Sequence, residues 1–549
     1  MTIPVGTNAP LSAEVPDRDG SRALNRVPAT APASIETQQF RSQVGHITRQ
    51  SGVFFAGTIF TAILGYLFKI YLARVLGAEA LGIYALGITL VGLIGVFNTL
   101  GLLHSAVRYV AVYQASGKPE QLRALLWTGG AILLAANLFF AGVLLAVGRP
   151  VAIRFYHSPA LVRYLPLFAL LMLPNVLNSF YSRALQGYKD VSRRTLIMNV
   201  IGSPLTMALA LVLIAAGLGL RGYILAQILS AVIVLVLLLA AVRTLTPQAA
   251  RFSARHLARV EPEVWSFSAS VLGIGLLEFL IVQADKISLG FYLGAREVGI
   301  YSVAAAMVAY VPLILHSVNQ IFSPTIADLH ARGGVALLGR LFQSLTKWVV
   351  SLTLPLAIVM IVFARSIMRI FGHDFEAGWP ILVIGTAGQL VNCGVGSVGF
   401  LLLMSGNEKR LMKVQSVMSV VMVALCFALI PIWGIVGAAV GAAATNIGMN
   451  LWNLAEVRRT LRLSPYNRSY IHLILPTIVT LAGALALKRN AALFRHDWIA
   501  IGCAAVVAYL LFAAVAVAFG LDPDDRLIAR AVWSRIRGMF GTLPAEVQP

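Results

Sequence analysis

The chain has 549 residues, of which 58% are hydrophobic and only 12% are charged. A soluble domain carries about a quarter charged residues, so this composition excludes an ordinary soluble protein and predicts an integral membrane protein. The formal net charge of +21 would also suit a nucleic-acid partner. We expect none, because the sequence contains no basic stripe with interleaved aromatic residues.

Apolar runs about 20 residues long recur along the chain, which predicts membrane-spanning α-helices rather than the alternating strands of a membrane barrel. The Pro-, Ala-, Arg- and Ser-rich residues 1–45 precede the first run and predict a disordered tail. We count about fourteen spans, at residues 52–75, 80–103, 124–147, 164–185, 196–217, 222–243, 264–290, 298–322, 344–364, 379–404, 411–431, 434–454, 470–487 and 497–520.

An even number of spans places both termini on one side of the membrane. Most of the 43 lysine and arginine residues fall in the tails and loops on that same side. Basic residues collect in cytoplasmic loops, so we expect both termini to be cytoplasmic.

The first six spans recur as spans seven to twelve. Phe68–Leu90 contains FKIYLARVLGAEALGIYALGITL, and Asp285–Met307 contains DKISLGFYLGAREVGIYSVAAAM, so Lys69 corresponds to Lys286. Similar glycine-containing turns follow spans four and ten and precede spans six and twelve: Gly187 pairs with Gly406, and Gly219 with Gly434. Because six is even, the two copies have the same orientation, which is the parallel-repeat plan of many secondary transporters.

This repeat divides the chain into two six-helix lobes that face each other across a pathway. The predicted units are a tail at 1–45, an N-lobe at 46–243, a basic amphipathic linker at 244–263, a C-lobe at 264–463, two further spans at 464–521 and a second cytoplasmic tail at 522–549. In the linker Arg251, Arg255 and Arg259 recur every four residues. That spacing predicts a short basic helix on the membrane surface.

Charged residues inside the spans are the candidate site. A charge at the bilayer centre costs roughly 2.5–3.5 kcal/mol on the insertion scale, so each is a functional hypothesis. The candidates are Lys69 in span one and Glu278, Asp285 and Lys286 in span seven. For either lysine alone, snorkelling to the headgroups is as good an explanation as a role in a cavity. The occurrence of both lysines at the same position of the repeat favours a shared cavity. For Glu278 the alternative to a role in the cavity is a structural pairing with a neighbouring helix. For Asp285 the alternative is a local ion pair with Lys286.

Arg108 and Arg183 lie at the predicted cytoplasmic ends of spans two and four. They could receive an anionic headgroup, although topology alone also explains them. The uncharged polar residues of the spans favour interhelical hydrogen bonds over cargo contacts: Asn98, Asn175, Asn178, His316, Asn319, Gln320 and Asn392.

Several kinds of chemistry find no support in the sequence. It contains no phosphate-binding loop of the G-x-x-x-x-G-K-[ST] type. It also contains no His/Cys/Asp cluster at metal-ligand spacing, and no long extracytoplasmic loop that would hold a catalytic domain. We therefore expect no cofactor, no metal and no enzymatic activity.

The stretch DKISLGFYLGAREVGIYSVA, its first-lobe copy and the glycine turns resemble the polysaccharide-transporter branch of the superfamily that also includes multidrug/toxin extruders and the lipid II flippase. The resemblance covers residues 50–465 and extends to the two terminal helices. It implies a flippase of the bacterial inner membrane that moves a polyprenyl-diphosphate-linked oligosaccharide to the periplasmic leaflet for O-antigen, capsule or exopolysaccharide synthesis. The implied partners are that lipid-linked oligosaccharide, membrane lipids, and the polysaccharide polymerase and export machinery.

Three other functions stay open at this point. One is a cation-coupled multidrug antiporter of the same fold, which a basic cavity would suit poorly. Another is a membrane glycan polymerase or ligase, which short outer loops disfavour. The third is an inactive relative that acts as a scaffold.

Overall fold

The computed structural model describes residues 33–250, 259–490 and 496–519, and the side chains of the first helix from Leu64 onward. Within that part of the chain the ordered elements are all helical. The predicted tails therefore lie outside the described residues over 1–32 and 522–549. Residues 33–45, which we expected to be disordered, are helical, because the last proline of the N-terminal stretch is Pro32 and the following residues permit a helix.

The described part of the N-terminal half contains α1 (Ala33–Asn98), α2 (Leu102–Ala115), α3 (Pro119–Arg123), α4 (Gly129–Pro150), α5 (Pro159–Val162), α6 (Leu165–Gly187), α7 (Val191–Thr195), α8 (Ser203–Leu213) and α9 (Gly219–Leu245). Wider π-helical turns connect some of these helices directly: Ala124–Thr128, Val151–Phe155, Leu196–Gly202 and Ile214–Leu218. As a result, residues 119–155 and 191–245 each form one helical segment without an intervening loop, although Gly217 and Gly219 break the regular helix in the second.

The C-terminal half contains α10 (Pro262–Tyr292), α11 (Ala295–Val308), α12 (Leu313–Ala331), α13 (Val335–Val362), α14 (Ala364–Phe371), α15 (Trp379–Val395), α16 (Val398–Met404), α17 (Glu408–Trp433), α18 (Ile435–Thr460), α19 (Ile474–Arg489) and α20 (Asp497–Ala518). Short 3-10 turns lie at Gln248–Ala250, His373–Gly378 and Arg468–Leu473. The two terminal helices, α19 and α20, pack on each other and on α13.

Among the described residues, 11 helices are long and apolar enough to cross a membrane, or 12 if α11 and the first part of α12, bent by 51°, form one span. Two of the 11, Leu64–Asn98 and Val191–Leu245, each contain two of the predicted spans. The all-helical membrane fold is confirmed. Fourteen crossings remain a prediction, because helices and spans do not correspond one to one.

The helix breaks recur in the two halves and match the sequence repeat. Gly77 has φ 79° and ψ 173°, and Gly294 has φ 131° and ψ −177°, a conformation that only glycine adopts readily. Gly219 and Gly434 are closer still, with φ/ψ of 50°/−131° and 57°/−134°. Spans one and two, five and six, and their copies are therefore separated by equivalent backbone turns.

The turn after span four needs a corrected register. Sequence similarity pairs Gly187 with Gly406, but Gly187 is the last residue of α6. The left-handed residues before the next helix are instead Lys189, with φ 62°, and Gly406, with φ 76°. Asp190 and Asn407 then occupy the N-cap positions. Lys189 and Gly406 are separated by the same number of residues as Lys69 and Lys286. The residue at which the next helix starts, rather than the position of the glycine, therefore defines the register of the repeat.

The two lobes share one apolar core near the Gly77 and Gly294 turns, which we call the closed end. There Leu86 and Phe168 of the N-lobe belong to the same buried cluster as Val298 and Phe371 of the C-lobe. Arg74 Nε also donates a hydrogen bond of 2.7 Å to the carbonyl of Ile370. These contacts hold the lobes together at this end.

The opposite end, at the C-terminus of α2 and the N-terminus of α17, has two separate cores. One contains Leu102, Tyr109 and Val242 of the N-lobe together with the start of α10. The other contains Phe322 and Leu401 with further C-lobe residues. Because the start of α10 is the part of the C-lobe that joins the N-lobe cluster, and no buried cluster of the described residues otherwise joins the lobes there, we call it the split end.

The linker bridges the lobes at the split end. Arg259 is outside any helix, and Arg251 and Arg255 lie outside the described residues, so the predicted basic helix stays a prediction. The Tyr113 hydroxyl donates a 2.6 Å hydrogen bond to a carboxylate oxygen of Glu261. Burial and this carboxylate raise the pKa of Tyr113, so the phenol stays neutral and holds the start of α10 against α2.

Candidate functional site

A cavity of about 240 Å³ lies between the lobes, next to the closed end, and contains both candidate lysines. Lys69 comes from α1 and Lys286 from α10, each about two helical turns before one of the two equivalent glycine breaks. Tyr84 and Tyr223 form an aromatic wall, with ring centroids 4.9 Å apart. The cavity therefore combines two amines with apolar and aromatic surface.

The two ammonium groups have different neighbours. Lys286 Nζ donates to Gln283 Oε1 at 2.8 Å and to the Val282 carbonyl at 3.3 Å. Lys69 Nζ lies 5.5 Å from the centre of the Tyr310 ring. Among the described residues no carboxylate is within ion-pair distance of Lys69, and Asp285 reaches Lys286 only at 3.8 Å. The cavity therefore holds two ammonium groups and one long ion pair, which leaves the charge of Lys69 without a counter-charge among the described residues.

Asp285 faces away from the lysine cavity and is buried within the C-lobe. Its Oδ2 accepts a 2.7 Å hydrogen bond from the hydroxyl of Tyr301. Both residues line a second cavity of about 170 Å³, together with Gln389 and Asn446. Adjacent positions on a helix point in different directions, so Asp285 and Lys286 enter different cavities.

Glu278 is exposed on α10, near the middle of the helix. It lies near His104 of α2, and Arg183 is a second charged neighbour of that histidine. The seven-residue spacing of Glu278 and Asp285 predicts one helical face. The two carboxylates nevertheless have different surroundings, because α10 packs on α2 near its start and on α17 further along.

The two candidate arginines lie on the N-lobe at the split end. The guanidinium of Arg108 is 4.8 Å from the centre of the Phe267 ring. Arg183 lies near Arg194 and His104, which makes this surface basic. Neither arginine belongs to the lysine cavity.

The candidates thus form three groups rather than one: the lysine pair near the closed end, Asp285 inside the C-lobe, and the arginines of the split end with Glu278, which shares the neighbour His104 with Arg183. Sequence reasoning did not assign His104 or Tyr84 to the site. Tyr84 had a signal, since it and Tyr301 end the repeated Gly-Ile-Tyr. Tyr84 exchanges hydrogen bonds with Gln227 at 2.8 and 3.1 Å.

Some of the weaker polar candidates make the expected interhelical bonds. Asn98 donates to Asn137 Oδ1 at 2.7 Å, and Asn178 donates to the Ala231 carbonyl at 2.9 Å. Three others, His316, Asn319 and Asn392, line a third cavity of about 300 Å³ in the C-lobe. No group of three or more His, Cys, Asp or Glu side chains able to hold a metal occurs in the part of the chain that the structure describes.

Comparison with known proteins identifies a family. Residues 47–330 match a family model described as polysaccharide biosynthesis protein. The teichuronic acid biosynthesis protein TuaB of Bacillus subtilis is 27% identical over 282 residues, which are 50% of this chain and 55% of TuaB. The match thus spans about half of each protein.

Two solved structures have a similar fold. The lipid II flippase MurJ, in an inward closed conformation, superposes with a TM-score of 0.67 at 14% identity, over 84% of this chain and 98% of MurJ. A multidrug resistance MATE family transporter, in an inward-facing conformation, has a TM-score of 0.62 at 16% identity, over 72% of this chain and 94% of the transporter. At these identities the likeness concerns the fold.

Proposed function

The chain belongs to the family of polysaccharide biosynthesis proteins, and on that premise we propose that it is the flippase for a polyprenyl-diphosphate-linked oligosaccharide. It is a multi-pass membrane protein, and in this proposal it acts as a transporter rather than as an enzyme. The proposed direction is from the cytoplasmic to the periplasmic leaflet of a bacterial inner membrane, for assembly of a surface polysaccharide.

The observation that carries this proposal is the pair of lysines in one cavity between the lobes. Lys69 and Lys286 come from equivalent repeat positions and line the same space. A diphosphate has several acceptor oxygens and negative charge, which two ammonium groups match. In a low-dielectric cavity such a charge match is strong enough to select an anionic headgroup over a cationic drug. This argues against the antiporter alternative.

Transport would follow from alternating access between the lobes. The shared core at the closed end and the separate cores at the split end suit a state open on one side. By the positive-inside rule, the split end faces the cytoplasm. Arg108 and Arg183 would then meet the headgroup first, before it reaches the lysines. If the lobes then met at the split end and separated at the closed end, the headgroup would be released on the periplasmic side.

The carboxylates are the candidates for energy coupling. Asp285 is buried against Tyr301, and Glu278 lies near His104 of the N-lobe. Either group could carry a proton or a monovalent cation as the lobes change state. The polysaccharide polymerase and the export machinery are the proposed functional partners, because they would consume the translocated product.

The test is a strain that lacks this gene. We expect completed polyprenyl-diphosphate oligosaccharides to accumulate in its lipid extract while a surface polysaccharide disappears. The wild-type gene should reverse both changes, and a gene with Lys69→Ala and Lys286→Ala should reverse neither. An intact surface without any lipid-linked intermediate would refute the proposal.

A further inference from the structure

The third cavity, of about 300 Å³, is built within the C-lobe from α12, α15, α16, α17 and α18. Its volume is at the lower end of the range for small-molecule sites. It shares no lining residue with the lysine cavity or with the cavity at Asp285. The mechanism proposed above gives it no role.

Uncharged hydrogen-bonding side chains dominate its polar lining. They are His316, Asn319, Asn392, Ser397, Gln415, Asn450 and Asn453. Among the described residues, no Asp, Glu, Lys or Arg side chain lines this cavity. A cavity of this composition offers no charged ligand for a metal cation and no counter-charge for an anion. It instead suits a neutral ligand with many hydroxyl groups.

Several of these side chains are held in place by their neighbours. Asn392 donates to Gln389 Oε1 at 2.9 Å, and Asn450 donates to Asn446 Oδ1 at 2.6 Å. Ser397 donates to Asn319 Oδ1. Fixed amides present donors and acceptors in a defined geometry, which is how small-ligand sites obtain orientation and specificity.

One amide in the lining is incompletely bonded. Asn453 is only 4% exposed, and its Oδ1 has no hydrogen-bond partner among the described residues. A buried acceptor without a partner costs about 1–3 kcal/mol. A ligand hydroxyl or a water molecule that donates to the Asn453 amide would remove this cost.

The apolar part of the lining completes the pattern. Phe400 and Met449 lie in the same cavity as the amides. A sugar ring has C–H groups on its faces and hydroxyl groups around its edge, so it needs apolar surface and polar groups side by side. Amides suit hydroxyl groups because both act as donor and acceptor.

We propose that this amide-lined cavity binds a neutral sugar residue of the transported glycan. The identity of the ligand as part of the cargo rests on the flippase function proposed above. The diphosphate and the glycan then bind at separate sites. The diphosphate binds to the lysines between the lobes, and the sugar binds in the amide-lined cavity of the C-lobe.

The experiment uses the purified full-length protein in lipid nanodiscs and saturation-transfer NMR. The probes are glucose, galactose and N-acetylglucosamine, with glucuronate and inorganic pyrophosphate as charged comparisons. We expect at least one neutral sugar to bind, and pyrophosphate not to compete with it. Asn453→Leu and Asn392→Leu should each weaken binding about tenfold, since each removes hydrogen bonds without changing the size of the side chain much.

Asn178→Leu is the matched control. Asn178 is also a buried amide with an unpartnered Oδ1, but it lies in the N-lobe and lines none of the three cavities. It should leave sugar binding unchanged. Gly399→Val provides a second test that removes no polar group. A Cβ at Gly399 meets only Leu411, at 4.0 Å, so a larger side chain is tolerated and would occupy the cavity.

Absence of binding by all three neutral sugars would overturn the proposal, as would binding that survives Asn453→Leu, Asn392→Leu and Gly399→Val. These results are independent of transport. Sugar binding in a protein whose deletion strain accumulates no lipid-linked oligosaccharide would refute the flippase function and leave the sugar site standing. If the deletion strain accumulates the lipid-linked oligosaccharide but the purified protein binds no sugar, the flippase function stands and the sugar site is refuted.

Discussion

Gly82 and Gly299 occupy equivalent repeat positions and pack against each other, backbone to backbone, where α1 crosses α11. A Cβ on Gly82 would lie 3.0 Å from Gly299 N, and a Cβ on Gly299 would lie 2.9 Å from Gly82 N. Each would also collide with a carbonyl oxygen of the other lobe, at Ala295 and Ala78 respectively. The reciprocal contacts show that a pseudo-twofold axis passes between the two glycines at the closed end.

Gly82→Ala and Gly299→Ala should therefore prevent the lobes from meeting at the closed end. We expect export to fall at least tenfold, because transport requires that end to close again after each release. Gly95→Ala, in the same helix but with nothing within 4 Å of its Cβ, should leave export unchanged. Surface polysaccharide per cell, normalised to protein in the membrane, measures the effect. Full export by Gly82→Ala would contradict the assignment of this crossing as a moving contact.

Removal of both cavity amines should abolish export without removing the protein from the membrane. The double change Lys69→Ala and Lys286→Ala leaves the diphosphate without its counter-charge in a low-dielectric cavity. Lys409→Ala with Lys413→Ala is the charge-matched control, since both of those lysines are exposed on α17. If the two double variants export equally well, the lysine cavity is not the headgroup site.

The two tyrosines of the repeated Gly-Ile-Tyr allow a comparison within one protein. Tyr301 donates to the carboxylate of Asp285, whereas Tyr84 is bonded to the neutral amide of Gln227. Hydrogen bonds to charged groups contribute about 1.5–3 kcal/mol and neutral ones about 0.5–1.5 kcal/mol. Tyr301→Phe should therefore lower the melting temperature of the purified protein more than Tyr84→Phe does. Equal shifts would show that Asp285 does not strengthen its hydrogen bond.

The turns at Gly219 and Gly434 should tolerate no side chain. Their φ/ψ values lie in a region that other residues enter at a cost of about 1–3 kcal/mol. Gly219→Ala and Gly434→Ala should each reduce thermal stability, and by similar amounts because the two backbones are alike. Gly142→Ala, in the middle of α4 with open space around its Cβ, should be neutral or slightly stabilising. A destabilised Gly142→Ala beside an unaffected Gly434→Ala would contradict the account.

Much of this architecture is predictable from the sequence because it depends on patterns that repeat. The spacing of Lys69 and Lys286 relates two lobes, and the glycines after them become equivalent backbone turns. The apolar runs predict the helices, since a membrane leaves few other ways to satisfy the backbone. These features need only local composition and one internal comparison.

The sequence was less informative about features that depend on which helices pack against each other. Periodicity places Glu278 and Asp285 on one face of α10, but cannot show that α2 covers one end of that face and C-lobe helices the other. The pairing of Gly187 with Gly406 was wrong because identical residues were preferred to equivalent helix starts. The proximity of His104 to Glu278 arises only from the packing of α2 on α10.

The most direct test of the central claim is translocation in reconstituted vesicles. The purified protein would be placed in liposomes that contain the polyprenyl-diphosphate oligosaccharide purified from the deletion strain, and a membrane-impermeant lectin would report the fraction of glycan in the outer leaflet over time. We expect vesicles that contain the wild-type protein to expose the initially enclosed glycan, and vesicles with the Lys69→Ala and Lys286→Ala variant not to expose it. Equal exposure in protein-free vesicles, or no exposure with the wild-type protein, would contradict it.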